Sequence, residues 1–183
     1  MSIPRYLPEQ PLPPYAYWPG RTPHPTRDPD GHSYRAAIAL VRCPDQRNWR
    51  GSREYLYGID LFNHGYYWEA HEAWESLWHA CGRSGVAADF LRALIRLAAC
   101  GFKAREGRDA GRIRHATAAV QLFAALHAHA AAPPHRTTMY FGLPLEALVR
   151  FAERAASGEN LRPLPVAPAE PVFVDRLLPI LGS

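Results

Sequence analysis

Four chemically capable side chains crowd into one short stretch of this sequence: Glu69, His71, Glu72 and Glu75. An imidazole beside carboxylates can hold a divalent metal ion, or can move a proton as an acid–base pair. Which of the four act together depends on the backbone beneath them. Helical residues turn by about 100° each, so positions four apart share a face. His71 and Glu75 then point the same way, among Tyr67, Trp68 and Trp78. Glu72 lies at their edge. Glu69 stands apart, at the boundary of an apolar face made by Tyr66, Ala70, Ala73, Trp74 and Leu77. The spacing therefore puts candidate catalytic chemistry on His71 and Glu75, with Glu72 and Glu69 as acidic neighbours. A purely architectural alternative stays open, in which a buried His–Glu pair satisfies its own hydrogen bonds and fixes helix packing.

A second cluster lies upstream, where His24, Asp28, Asp30 and His32 are close in sequence. If this segment crosses the mouth of the helical body, His24 or His32 can join His71 and Glu75 as metal ligands. The same residues are ordinary turn formers, since Asp28 precedes a proline and Asp30 a glycine. A later helix offers His115, His127 and His129, of which His127 lies nearest its apolar face.

These groups need elements to position them. Nine of the 18 prolines fall in residues 1–34, a spacing that no helix can run through. Tyr6, Tyr15, Tyr17 and Trp18 in that stretch argue for an ordered arm packed on the body. Helical periodicity predicts Tyr34–Arg42, Trp49–Asn63, Tyr66–Cys81, Ala87–Arg105, Asp109–Ala131 and a last helix from Pro144 to Gly158. Gly65 is expected to cap the second of these and Gly107 to break the fourth. A tail over 159–183 carries five prolines and is expected to be extended, with a short amphipathic turn at Val174–Leu181. The fold class is all-α: an antiparallel bundle of about five to six helices over 35–158, flanked by extended proline-rich N- and C-terminal arms.

The 183 residues carry a net charge of +4 and fit one domain. Arg105, Arg108, Arg112 and Arg114 cluster, but such runs are usually solvated, so nucleic acid is not expected as a partner. No apolar run is long enough for a membrane span. Cys43, Cys81 and Cys100 form no C-x-x-C pair and are odd in number, which argues against a disulfide framework and a zinc ribbon. That usage fits a reducing, cytoplasmic setting. A homo-oligomer stays open. No nucleophile elbow or phosphate loop is present.

The stretch from Asp60 to Trp78 resembles the signature of the domain-of-unknown-function 309 family, Phe-Asn-x-Gly-x-aromatic-x-Glu-Ala-His-Glu-x-x-Glu-x-x-Trp. Phe62, Asn63, Gly65, Glu69, Ala70, His71, Glu72, Glu75 and Trp78 carry it, and the likeness extends over roughly residues 50–128. It implies a small helical bundle whose members are described as uncharacterised or as candidate metal-dependent hydrolases. Asn63, Arg96 and Trp78 are supporting residues of the implied site; Arg96 stands where glutamine is expected. Two readings follow. In one, His71 and Glu75 serve a hydrolase, with or without a divalent metal ion. In the other, the motif is a salt-bridge network in a non-catalytic scaffold or partner-binding protein, with Arg92 or Arg96 neutralising Glu72 or Glu75.

Overall fold

The computed structural model describes residues 3–36, 40–132, 138–163 and 169–181. Five helices follow one another: α1 (Arg53–Asn63), α2 (Tyr67–Ala80), α3 (Val86–Arg105), α4 (Asp109–Ala131) and α5 (Leu145–Ser157). Each packs on its chain neighbour. The links 64–66, 81–85 and 106–108 are short, which makes successive helices antiparallel. A two-residue hairpin, β1 (Met139–Tyr140) with β2 (Leu143–Pro144), leads into α5.

The boundaries follow local chemistry. α1 starts four residues later than periodicity predicts, because Trp49–Gly51 forms a separate 3-10 turn. The Ser52 hydroxyl then accepts from Tyr55 N and starts the helix. Gly65 ends it at φ 85°, and a Cβ there would lie 2.9 Å from the Ala169 carbonyl oxygen, so two constraints demand glycine. α4 has the bounds its sequence predicts.

The expected helix over Tyr34–Arg42 does not form in its described part. Residues 34–36 are turn and coil with Arg35 at φ 55°, and 40–42 are coil; 37–39 lie outside the described residues. A left-handed residue ends right-handed winding. Val174–Leu181, expected to be extended with a short turn, is bent at residues 174–175 and coil beyond. That segment is held by Asn63, whose Nδ2 donates to the Leu177 carbonyl at 2.7 Å and whose Oδ1 accepts from Leu177 N at 2.9 Å.

The core centres on α3, with Phe90, Leu91, Leu94, Leu97 and Ala98 fully buried. Phe62, Tyr67, Phe151 and Phe173 close the other end in mutual ring contact. Gly58 is required by packing: an added Cβ would fall 2.2 Å from Trp74 Nε1. Cys43 and Cys81 are joined by a disulfide, which corrects the expectation drawn from cysteine parity. An odd count leaves one thiol over, here the buried Cys100, but does not forbid one pair. No helix among the described residues is long and apolar enough to cross a membrane.

Candidate functional site

Helix α2 presents its acids to two different surroundings. Tyr67, Ala70, Trp74 and Leu77 are buried against the core. Glu69 goes in with them and is only 6% exposed, whereas His71, Glu72 and Glu75 are half-buried. The angular expectation that Glu69 stands apart is therefore corrected in its consequence. It is separate from the other three, but it is the most deeply buried of the three acids and the imidazole.

His71, Glu72 and Glu75 offer ligand atoms that all lie within 4.8 Å of one another. One imidazole and two carboxylates suit zinc or a harder divalent ion. His71 Nδ1 lies 3.5 Å from Glu72 Oε1, within ion-pair range, yet it makes no hydrogen bond although it is shut off from solvent. A lone donor atom of this kind beside two carboxylates fits a cation, so the residues present match the group that the resemblance implies.

The rings of Tyr67, Trp68 and Phe102 wall a cavity of about 270 Å³ beside His71, and His115 and Lys103 line it too. Burial first, and then the positive charge of Arg96, holds the His115 imidazole below its usual pKa. It is therefore neutral near pH 7, with a nitrogen lone pair to offer. His115, not His127, is thus the α4 histidine that α2 meets; the two border the buried stripe of α4 on opposite sides.

The histidines of the N-terminal segment do not join this cluster. His32 Nε2 pairs with Glu69 Oε1 at 3.2 Å, and His32 Nδ1 lies 2.9 Å from Ser33 Oγ. His24 packs its ring on Tyr17 and Trp68, while its Nδ1 accepts from Thr26 N. The set of His71, Glu75, His24 and His32 is therefore not assembled, and Glu72 takes the place expected of an arm histidine. The segment does reach the motif helix, but at Glu69, where Tyr17 N also donates to Oε1 at 2.8 Å.

The supporting residues divide. Asn63 ties the C-terminal segment to the end of α1. Arg96 and Arg92 do not neutralise the motif acids: Arg96 lies 3.5 Å from His115 Nδ1, and Arg92 pairs with Asp89. Trp78 buries its indole Nε1 without a hydrogen-bond partner among the described residues. Two arginines of the expected basic patch are not on the surface. Arg105 is buried and donates to the carbonyls of Gly65 and Glu170, and Arg112 donates to those of Ala155 and Ala156. Asp60 is fully buried and takes three hydrogen bonds from residues 5–7. It lies one turn before Asn63 on the same buried helix face.

Residues 55–115 match the family model described as "Domain of unknown function (DUF309)". The match covers α1, α2, α3 and the start of α4, and so includes every α2 side chain of the cluster. No curated protein and no solved structure matches the chain.

Proposed function

We propose that the DUF309 domain at residues 55–115 holds a divalent cation on His71, Glu72 and Glu75 and uses it in hydrolysis. The observation that carries this is the convergence of their three ligand atoms within 4.8 Å, with His71 Nδ1 otherwise unpartnered. A bound divalent ion supplies Lewis acidity and lowers the pKa of water. The neutral imidazole of His115 stands in the same cavity to take a proton from an attacking water. Trp68 and Phe102, backed by the buried Tyr67, hold an apolar or planar part of the substrate and keep bulk water out. Lys103, although paired with Glu106, supplies the positive charge nearest that wall.

Metal analysis of untagged protein, purified without chelator, tests the reading. About one equivalent of zinc or manganese is expected, lost in Glu75→Gln and His71→Ala. Metal content that stays at background, with no heat on titrating either ion, would sink it. The second reading is a non-catalytic scaffold, favoured by the tying of Glu69 and Asn63 to the two chain ends. A cytoplasmic site of action also stays a proposal, and the Cys43–Cys81 disulfide weighs against a strongly reducing one.

A further inference from the structure

On the other side of Trp68 a second cavity, of about 530 Å³, opens between residues 10–14, α1 and α2. Its floor holds Glu69, with a side chain only 5% exposed. Both donors that Glu69 receives, Tyr17 N–H and His32 Nε2–H, go to the same oxygen, Oε1. Oε2 is shut off from solvent and has no hydrogen-bond partner among the described residues. A buried carboxylate oxygen without a donor is costly, and native structures rarely leave one so. Arg105 feels the charge of Glu69, yet it gives its Nη2 hydrogens to backbone carbonyls instead.

The rest of the lining says what kind of donor fits. The cavity wall contains Glu69 and Glu72 but no lysine or arginine, in a chain whose net charge is +4. With Glu69 as acceptor, His32 must carry a proton on Nε2; in that neutral tautomer Nδ1 would accept from the Ser33 hydroxyl. That leaves the lone pairs of Ser33 Oγ open to a further donor. Tyr57 and Trp68 offer aromatic surface, and Leu12 and Pro13 offer aliphatic surface. Two carboxylates, a hydroxyl acceptor and ring faces together suit a cation that carries both N–H groups and carbon. A hydrated inorganic ion would waste the apolar walls.

We infer that this cavity binds a small organic ammonium ion, whose N–H groups complete Glu69 Oε2 and whose carbon skeleton lies on Trp68 and Tyr57. The site does not depend on a metal at His71, although Glu72 borders both places.

The test is calorimetric titration of the full chain after chelator treatment, so that the metal reading plays no part. Benzylamine is the probe and benzyl alcohol its neutral isostere. Benzylamine is expected to bind at millimolar concentration or tighter, and the alcohol about tenfold more weakly or not at all. Glu69→Gln should weaken benzylamine about tenfold at unchanged far-UV circular dichroism, while Glu153→Gln, at an exposed acid on α5, stays within about threefold. Three results would overturn the inference: no amine binding up to about 10 mM, equal affinity for amine and alcohol, or a loss in Glu69→Gln no greater than in Glu153→Gln. Because the amine–alcohol comparison uses the unmodified chain, it decides the matter even if Glu69→Gln fails to fold.

Discussion

Replacing Asp60 by alanine is the sharpest probe of how the N-terminal segment is held. Asp60 is fully buried, and its carboxylate accepts from Arg5 Nε at 2.9 Å, Tyr6 N at 2.7 Å and Leu7 N at 2.9 Å. Alanine strands these donors unequally. Arg5 keeps its hydrogen bonds to the Leu7 and Gln10 carbonyls and is partly solvated, so it loses least. The Leu7 amide sits on a residue only 7% exposed and loses its acceptor outright. A stranded buried donor costs about 1–3 kcal/mol, and breaking a buried charged pair costs about 3–5 kcal/mol. The expected loss is therefore about 4 kcal/mol, equivalent to about 8–16 °C in Tm for a chain of this size. Asp60→Asn, which keeps one acceptor oxygen, should lose about half as much. Urea unfolding followed by circular dichroism measures both. Trypsin adds a local readout, since a released segment should be cut at Arg21 and Arg27 before the helices unfold. A loss below about 1 kcal/mol with unchanged trypsin resistance would refute the reasoning, because three donors to a buried carboxylate could not then be holding the segment.

Two further outcomes are expected. Burial pushes the Cys100 thiol up to about 12, and Cys43 is bonded to Cys81, so native protein should give no reaction with a thiol reagent at pH 8. Denatured protein should show one thiol without reductant and three with it; more than one without reductant would exclude the disulfide. His115 has a folded-state pKa below its unfolded value, owing to burial and then Arg96, so the folded chain resists its protonation. Its neutral form therefore contributes stability that is present above about pH 6.5 and lost as pH falls through the lower folded pKa. His115→Gln should flatten that part of the stability–pH curve relative to the unmodified chain; parallel curves would exclude the effect.

Sequence made the helices legible where local chemistry determines them. α4 begins after the turn at Gly107 and ends before Pro133, and its bounds agree with the periodicity. Tyr34–Arg42 misled because its apolar spacing is helical, while Arg35 in the left-handed region and the Cys43–Cys81 link turn the chain elsewhere. Glu69 misled for a different reason. Helical angles state which way a side chain points, not what lies over it. His32 and Tyr17 cover Glu69 from 37 and 52 residues away, a pairing no local pattern encodes. His115 was passed over on the same ground, since both it and His127 border the apolar stripe of α4 and only the packing of α2 tells the two edges apart.

The polar atoms of α1 and α2 also weigh the enzymatic reading against the architectural one. A motif that served only to hold the fold would satisfy its buried polar groups within the fold. Asp60 and Asn63 do so: each oxygen of Asp60 and both amide atoms of Asn63 have partners. Glu69 Oε2, His71 Nδ1 and Trp78 Nε1 do not, and all three are closed to solvent. The residues Glu69 and His71 each line a separate cavity, and Trp68 lines both. The difference is one of position, because Asp60 and Asn63 face the chain ends that they tie down. Glu69 completes that tie with one oxygen, while the other has no partner among the described residues. His71, two residues on, makes no tie at all. The motif helix is thus architectural toward the arm and chemically unsatisfied toward its two cavities, and it is in the cavities that ligands should be sought.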